Sequence, residues 1–304
     1  MAIPRLLSTL RERVLLCDGA MGTELQRAGL EPGGCGEAWN VDAPERILAI
    51  QRAYVEAGAD CLLTNTFGAS GIMLARHGQE QRTRAINAAG VELARQAFGE
   101  RDGFVLGDIG PFGGVMEPYG DISRSAVAEA FGVQAKALCQ AGVDAILVET
   151  QTSLDELELG IAAARAAGAP CIIGSLAFDA FAEGDGFATM MGVTPDAAAR
   201  FLVEHEVDVL ALNCGTGVDT KSAAGIVAAY RAVDPSRPIL AQPNAGQPEL
   251  VDLRAVYRQT PEEMARGVPL LLAAGATMIG GCCGSTPAHI RAMRAALDEQ
   301  EALA

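Results

Sequence analysis

The stretch Gln140-Ala141-Gly142-Val143-Asp144-Ala145-Ile146-Leu147-Val148-Glu149-Thr150 holds the end of a helix, a stop and an entire strand. Gly142 stands where an Ala-rich helical segment gives out, placed to cap it in the left-handed conformation that glycine enters without a Cβ penalty. Ala145–Glu149 is then an apolar run closed by a carboxylate, which is how a strand buried on both faces reads. The same small-residue stop recurs in Glu56-Ala57-Gly58-Ala59-Asp60, Ala166-Ala167-Gly168-Ala169-Pro170 and Ala273-Ala274-Gly275-Ala276-Thr277.

Extended in both directions, the pattern predicts strands near Val14–Cys17, Cys61–Thr64, Phe104–Asp108, Ala145–Glu149, Cys171–Ser175, Val209–Asn213, Ile239–Gln242 and Thr277–Gly280. Helices are expected near Pro44–Ala57, Glu80–Phe98, Ser123–Ala141, Ser153–Ala167, Thr194–Glu204, Thr220–Ala232, Pro261–Ala274 and Thr286–Leu297. Strands that each lead into a helix, eight times over, point to an α/β fold, a single (β/α)8 barrel of the TIM type. A doubly wound open sheet is the alternative. No low-complexity linker or charge block divides residues 1–304, which are read as one domain.

Composition narrows the partners. Half of the 304 residues are apolar, enough for a large core. A net charge of −15 argues against nucleic acid or an anionic membrane. No apolar run approaches the roughly 18–20 residues of a membrane span. Met1 to Arg13 carries no signal-peptide pattern. The eight cysteines are scattered through expected strands and helices, which fits a reducing cytoplasm.

In a barrel of this kind, chemistry collects at the C-terminal ends of the strands. Asp18, Asn65, Asp108, Glu149, Asn213, Cys214, Asn244, Cys282 and Cys283 all fall there. The cysteines speak most clearly. Cys282-Cys283 sits inside Gly280-Gly281-Cys282-Cys283-Gly284, and Cys214 follows a strand in Asn213-Cys214-Gly215. Adjacent cysteines bridge each other only through a strained ring. As thiolates beside a third sulfur they make a zinc site with an open fourth position, the mark of a catalytic rather than a structural ion. Cys61, Cys139 and Cys171 read as small buried hydrophobes, Cys17 as core, and Cys35 as a spare thiol in a glycine-rich loop. Among the histidines, His77 and His205 lie away from the strand ends, and His289 is expected on a solvated helix face.

Three thiolates on Zn2+ favour chemistry at sulfur over hydrolysis. A substrate thiol in the fourth position is deprotonated by the metal and stays nucleophilic, so alkyl transfer to it needs no general base. No catalytic residue is therefore expected beyond the zinc-activated thiolate of the substrate.

Asp18-Gly19-Ala20-Met21-Gly22-Thr23-Glu24-Leu25 follows the first strand, where glycines let a ligand reach backbone N–H groups, a nest for a carboxylate. Asp18 and Glu149 supply two anions for an ammonium, and the combination suits an α-amino acid zwitterion. Thr64-Asn65-Thr66-Phe67-Gly68-Ala69-Ser70 is expected to line the pocket, while Gly107-Asp108-Ile109-Gly110-Pro111-Phe112-Gly113-Gly114 also reads as a purely structural turn. Neither a Walker lysine nor a complete dinucleotide fingerprint is present, so no nucleotide is expected.

These segments resemble the homocysteine S-methyltransferases, a family that includes the homocysteine-binding module of cobalamin-dependent methionine synthase and the betaine- and S-methylmethionine-dependent enzymes. The likeness runs through Asp18 to Thr23, Asn65-Thr66-Phe67, Glu149-Thr150, Asn213-Cys214-Gly215, Pro243-Asn244-Ala245-Gly246 and Gly280 to Pro287. It implies a (β/α)8 barrel binding Zn2+ through Cys214, Cys282 and Cys283. It also implies that Asp18 and Glu149 hold the amino group of L-homocysteine, that backbone at Gly19 and Met21 receives its carboxylate, and that Asn65 belongs to the substrate site. Methyl transfer to the bound thiolate gives methionine.

The donor is less legible. An onium donor favours an aromatic wall, for which Trp39 in the loop after the first strand is a candidate, alongside a plain packing role for it at the barrel rim. Similar betaine enzymes carry tyrosines where this chain has Gly68 and Thr150. Candidate donors are S-methylmethionine, a betaine-like onium or a methyl-corrinoid protein. Two other readings stand beside methyl transfer to homocysteine: a different small thiol or selenol as acceptor, or a homocysteine-binding subunit of a split corrinoid-dependent methionine synthase.

Overall fold

The computed structural model describes residues 3–181, 186–251 and 254–303. Its main sheet runs β1 Leu15–Leu16, β2 Cys61–Leu63, β3 Phe104–Ile109, β4 Ala145–Gln151, β5 Ile172–Leu176, β6 Val209–Asn213, β7 Ile239–Gln242 and β8 Met278–Ile279. Successive strands pair in parallel, and β8 pairs back onto β1 with Leu15 opposite Met278. The seam between β1 and β2 is one parallel bridge, Cys17 to Cys61. Two backbone bonds flank it, from Asp18 N–H to the Cys61 carbonyl (3.0 Å) and from Asp60 N–H to the Leu16 carbonyl (2.7 Å). The sheet is thus a barrel and not an open, doubly wound sheet.

Eight helices form the outer ring: α1 Pro44–Glu56, α2 Thr83–Phe98, α3 Arg124–Ala141, α4 Leu154–Ala166, α5 Pro195–Glu204, α6 Thr220–Val233, α7 Val268–Ala274 and α8 Pro287–Leu303. The stop glycines behave as expected, with φ of 101° at Gly58, 92° at Gly142, 75° at Gly168 and 106° at Gly275. One expected helix, Pro261–Ala274, is in fact two. Pro261–Ala265 starts on a capping box between Thr260 and Glu263, and the chain restarts at α7. Pro269 explains the break, since it lacks an N–H and its ring would meet the carbonyl of Ala265 in a continuous helix. Short helices at Arg5–Thr9, Gly22–Arg27, Trp39–Asp42 and Gly71–Ala75 were not legible in the sequence. Nor were the two-stranded pairs Asp179–Ala180 with Phe187–Ala188 and Pro248–Val251 with Arg254–Tyr257.

Strand residues divide by their period of two. Leu15, Cys17, Cys61, Leu106, Leu147, Cys171, Ile173, Ala211 and Leu240 fill the barrel, closed beneath by Leu6 and Leu10. Leu16, Leu62, Val105, Ile146, Val148, Ile172 and Leu210 face the helices. Cys17, Cys61 and Cys171 are therefore core, whereas Cys139, expected to be buried, is only partly so on α3 and packs at the edge of the outer layer. Followed upward, the inward row continues to Asp108, Glu149, Ser175, Asn213 and Gln242, all buried. The barrel's own register delivers these polar groups to its mouth.

The opposite end is tied by a repeated device. Just before β2, β4 and β6, an aspartate reaches sideways to the backbone N–H of the preceding strand: Asp60 to Leu16 (2.9 Å), Asp144 to Val105 (2.8 Å) and Asp208 to Ile172 (2.8 Å). Thr277 does the same for Ile239 before β8 (3.1 Å). Edge amides that the twist leaves unpaired gain acceptors this way.

Candidate active site

The three expected metal ligands converge. Cys214 follows β6, Cys282 and Cys283 follow β8, and their sulfur atoms all lie within 4.8 Å of one another. Cys214 Sγ is 3.9 Å from Cys283 Sγ. Thiolates on a tetrahedral zinc at about 2.3 Å would stand about 3.8 Å apart, so the spacing suits that ion. The turn at Cys214 is strained: its φ is +59°, and Gly215 follows at +91°. A Cβ at Gly215 would lie 1.7 Å from the Phe178 carbonyl, so the turn admits only glycine there. Asn244 Nδ2 donates to the Gly215 carbonyl at 2.9 Å. The second loop is held by Gly281 N–H to Asp18 O (3.0 Å), Cys282 N–H to Pro243 O (2.9 Å) and Ala245 N–H to Cys283 O (2.9 Å).

Without a cation the sulfurs compete for one negative charge. Hydrogen bonds from Cys282 and Cys283 hold the Cys214 thiol down to about 3. The bond with Cys214 pushes Cys283 up to about 12 and moves Cys282 upward as well. A divalent ion would relieve all three together.

A cavity of about 260 Å³ opens over the cluster. Asp18, Gly19, Met21, Asn65, Glu149, Cys214, Cys282 and Cys283 all line it. Asp18 is 1 % exposed; its Oδ2 accepts from Leu63 N–H at 2.9 Å and its Oδ1 has no partner among the described residues. It caps no helix, since Gly22–Arg27 begins without a side-chain cap. The amides of Gly19 and Met21 bond to no other described residue, while Ala20 N–H between them is taken by Ser285 Oγ at 3.1 Å. Burial pushes Asp18 well above the usual carboxylate range and lifts Glu149 to about 7. Among the described residues, four carboxylates, Asp18, Glu37, Asp108 and Glu149, share the lining, and no lysine or arginine does. The cavity is built to receive positive charge.

A family model described as homocysteine S-methyltransferase matches residues 15–297. The chain belongs to that family. It is 34% identical over 307 residues to a methionine synthase of Mycobacterium tuberculosis, and 33% over 306 to one of Mycobacterium leprae. Each match covers 96% of this chain and 25% of the relative, so the chain spans about a quarter of the length of these relatives. Among solved structures, it is similar to the metallated form of the homocysteine methyltransferase MmuM from Escherichia coli. That match has a TM-score of 0.76 and 26% identity, over 97% of this chain and 99% of that one.

Within this family member, the sequence did not reveal the role of Asn213. Its Nδ2 donates to Glu149 Oε2 (2.8 Å) and Thr150 Oγ1 (2.7 Å) and approaches Cys282 Sγ at 3.9 Å. Its Oδ1 accepts from Thr150 N–H (2.9 Å) and Ser175 Oγ (2.6 Å). Thr150 has a φ of +58°, at a bulge where the β4–β5 register slips between Val148 and Gln151. Two backbone outliers, Thr150 and Cys214, thus flank one amide, and its hydrogen bonds hold the Thr150 outlier in place.

Other expected residues are placed differently. Asn65 lines the cavity, but its Nδ2 is committed to the Gly36 carbonyl and to Asn40 Oδ1, both at 3.0 Å, fastening the loop after β1. Trp39 is not part of the lining: Arg46 lies over its ring at 4.7 Å, so the rim-packing reading holds. Phe67 does line the cavity and is 38% exposed. His289, expected on a solvated face, is buried. Its Nε2 donates to the Gln259 carbonyl (2.9 Å), which leaves Nδ1 to accept from Thr286 N–H (3.2 Å) and the Thr286 hydroxyl (2.9 Å). The loop bearing Gln259 folds over the start of α8, which no helical periodicity could indicate.

Proposed function

We propose that this protein transfers a methyl group to the sulfur of L-homocysteine, giving methionine, with a zinc ion held by Cys214, Cys282 and Cys283. The observation that carries the reading is the placement of a three-sulfur cluster and buried, cation-seeking carboxylates on one small cavity. Zinc bound there supplies the Lewis acidity that keeps a thiol deprotonated at neutral pH. The chain's own residues do the rest. Asp18 Oδ1 and Glu149 take the ammonium, the open amides of Gly19 and Met21 take the carboxylate, and the thiol is left to face the sulfurs that line the same cavity. Glu149 is held for this by Asn213, and Asp18 by Leu63 N–H.

Phe67, exposed on the cavity lining, offers an aromatic face to a donor whose methyl sits on a positively charged centre, such as S-methylmethionine or a betaine-like onium; a methyl-corrinoid protein is the other candidate. A reducing, cytoplasmic setting agrees with eight free cysteines, and among the described residues no helix is long and apolar enough to cross a membrane.

The test is turnover of purified, zinc-loaded protein with homocysteine and a panel of S-methylmethionine, betaine, dimethylsulfoniopropionate and methylcobalamin. Methionine formed with one donor, and lost after chelation, supports the reading. Homocysteine binding without turnover until a corrinoid protein is added would favour the split-system alternative, and equal affinity for homocysteine and a plain alkyl thiol would sink the amino-acid reading.

A further inference from the structure

Asp108 ends the inward row of β3 as Glu149 ends that of β4. The strands pair with Asp108 opposite Leu147, so the two side chains rise next to each other into the same cavity. They are 5% and 7% exposed and line the same cavity from neighbouring strands, so each carboxyl acts on the ionisation of the other. Among the described residues, Asp108 Oδ1 has no donor and no cationic side chain lines the cavity. Two ionised carboxylates do not persist side by side under such burial without a cation; one of them keeps a proton. The Asn213 amide donates to Glu149 Oε2 at 2.8 Å, a bond that is stronger to an ionised oxygen and so favours the negative charge on Glu149 over Asp108. The proton then belongs to its neighbour.

We propose that Asp108 is a positioning residue that stands protonated, donates its carboxyl hydrogen to Glu149, and aims that carboxylate at the ammonium of the acceptor. This rests on the amino-acid reading of the cavity given above. The energetics agree: burial first, then the neighbouring Glu149, drives Asp108 well above its ordinary range, while Asp108 acts to lower Glu149. The assignment also limits the charge facing one ammonium to Asp18 and Glu149, where a third buried anion would go uncompensated. The sequence left Asp108 between a structural turn and a lining group; its backbone in fact serves the turn, through Thr64 Oγ1 (3.0 Å) and Thr66 Oγ1 (2.7 Å), and its carboxyl serves the cavity.

Two variants separate a neutral donor from a third anion. Asp108→Asn is isosteric, uncharged and still able to donate, so its KM for homocysteine should stay within about threefold of the parent protein. Asp108→Ala removes a hydrogen bond to a charged group and should raise that KM by about tenfold to a hundredfold, with kcat and zinc content little changed. For 4-sulfanylbutanoate, the acceptor without the amino group, neither variant should move KM. An infrared difference spectrum of parent protein against Asp108→Asn should show the carbonyl stretch of a protonated carboxylic acid, a readout independent of folding losses in the alanine variant. Asp108→Asn as damaging as Asp108→Ala, or no acid band, would overturn the proposal. Failure of the parent protein to bind homocysteine in calorimetry would instead sink the underlying amino-acid reading, whatever the infrared band shows.

Discussion

Asn213 Nδ2 lies 2.8 Å from Glu149 Oε2, so the residue preceding Cys214 holds the carboxylate proposed to receive the substrate ammonium. One amide thereby couples the sulfur end of the cavity to its zwitterion end. Asn213→Ala removes that bond and the two bonds that stabilise Thr150 at φ +58°. Loss of a hydrogen bond to a charged group costs about 1.5–3 kcal/mol, so kcat/KM for homocysteine should fall roughly 10- to 100-fold. Steady-state kinetics beside a metal assay check this, because zinc content should hold near the parent value.

Removing a sulfur should act differently. Cys283→Ser or Cys282→Ala leaves two thiolates of the three, and both zinc content and turnover should drop together. Mass-spectrometric metal analysis of the purified variants makes the measurement; full turnover in a metal-free variant would refute the zinc reading.

The pH response of stability has a traceable source in Glu156. Burial pushes its carboxyl from 4.5 up to about 7, against the lowering effect of the bond from Phe112 N–H (2.7 Å). Between those values the folded chain holds a proton that the unfolded chain has lost. The stabilisation is therefore full below 4.5 and disappears as pH rises through about 7. Glu156→Gln keeps an acceptor for Phe112 and cannot ionise. It should melt higher than the parent above pH 7, with the gap closing toward pH 4.5, as thermal scans across that range would show.

At the far end of the barrel, Asp144→Ala should cost stability and leave chemistry alone. It orphans the Val105 amide and breaks the ion pair with Arg95 (2.7 Å). An unsatisfied buried amide costs about 1–3 kcal/mol, so the urea midpoint should fall while kcat and KM at moderate temperature stay as they were.

The donor side is open to a paired comparison. Phe67→Ala should raise the KM for whichever donor proves active, since the ring lines the cavity. Trp39→Phe, at a ring already covered by Arg46, should not. The opposite ranking would return Trp39 to the donor site.

Much of this protein was legible as local pattern. A glycine two residues before an aspartate, with Ala-rich helix on one side and an apolar run on the other, specifies a left-handed cap and a buried strand, because both depend on φ preference and side-chain alternation within about ten residues. Pro269 was visible too, yet its break was missed because the apolar pattern continues across it. Cys282 and Cys283 need no fold to be neighbours, and strand-end carboxylates follow once a barrel is assumed.

What tertiary structure alone decided are matters of distance between residues far apart in the chain. The β1–β2 seam closes on one Cys17–Cys61 bridge, the Asn213 amide meets Glu149 from another strand, His289 is covered by the Gln259 loop, and Arg46 occupies the face of Trp39. Composition and periodicity carry no record of these, because a hydrogen bond or a buried charge takes its strength from the separation and the dielectric that packing creates, and neither exists until the chain has folded.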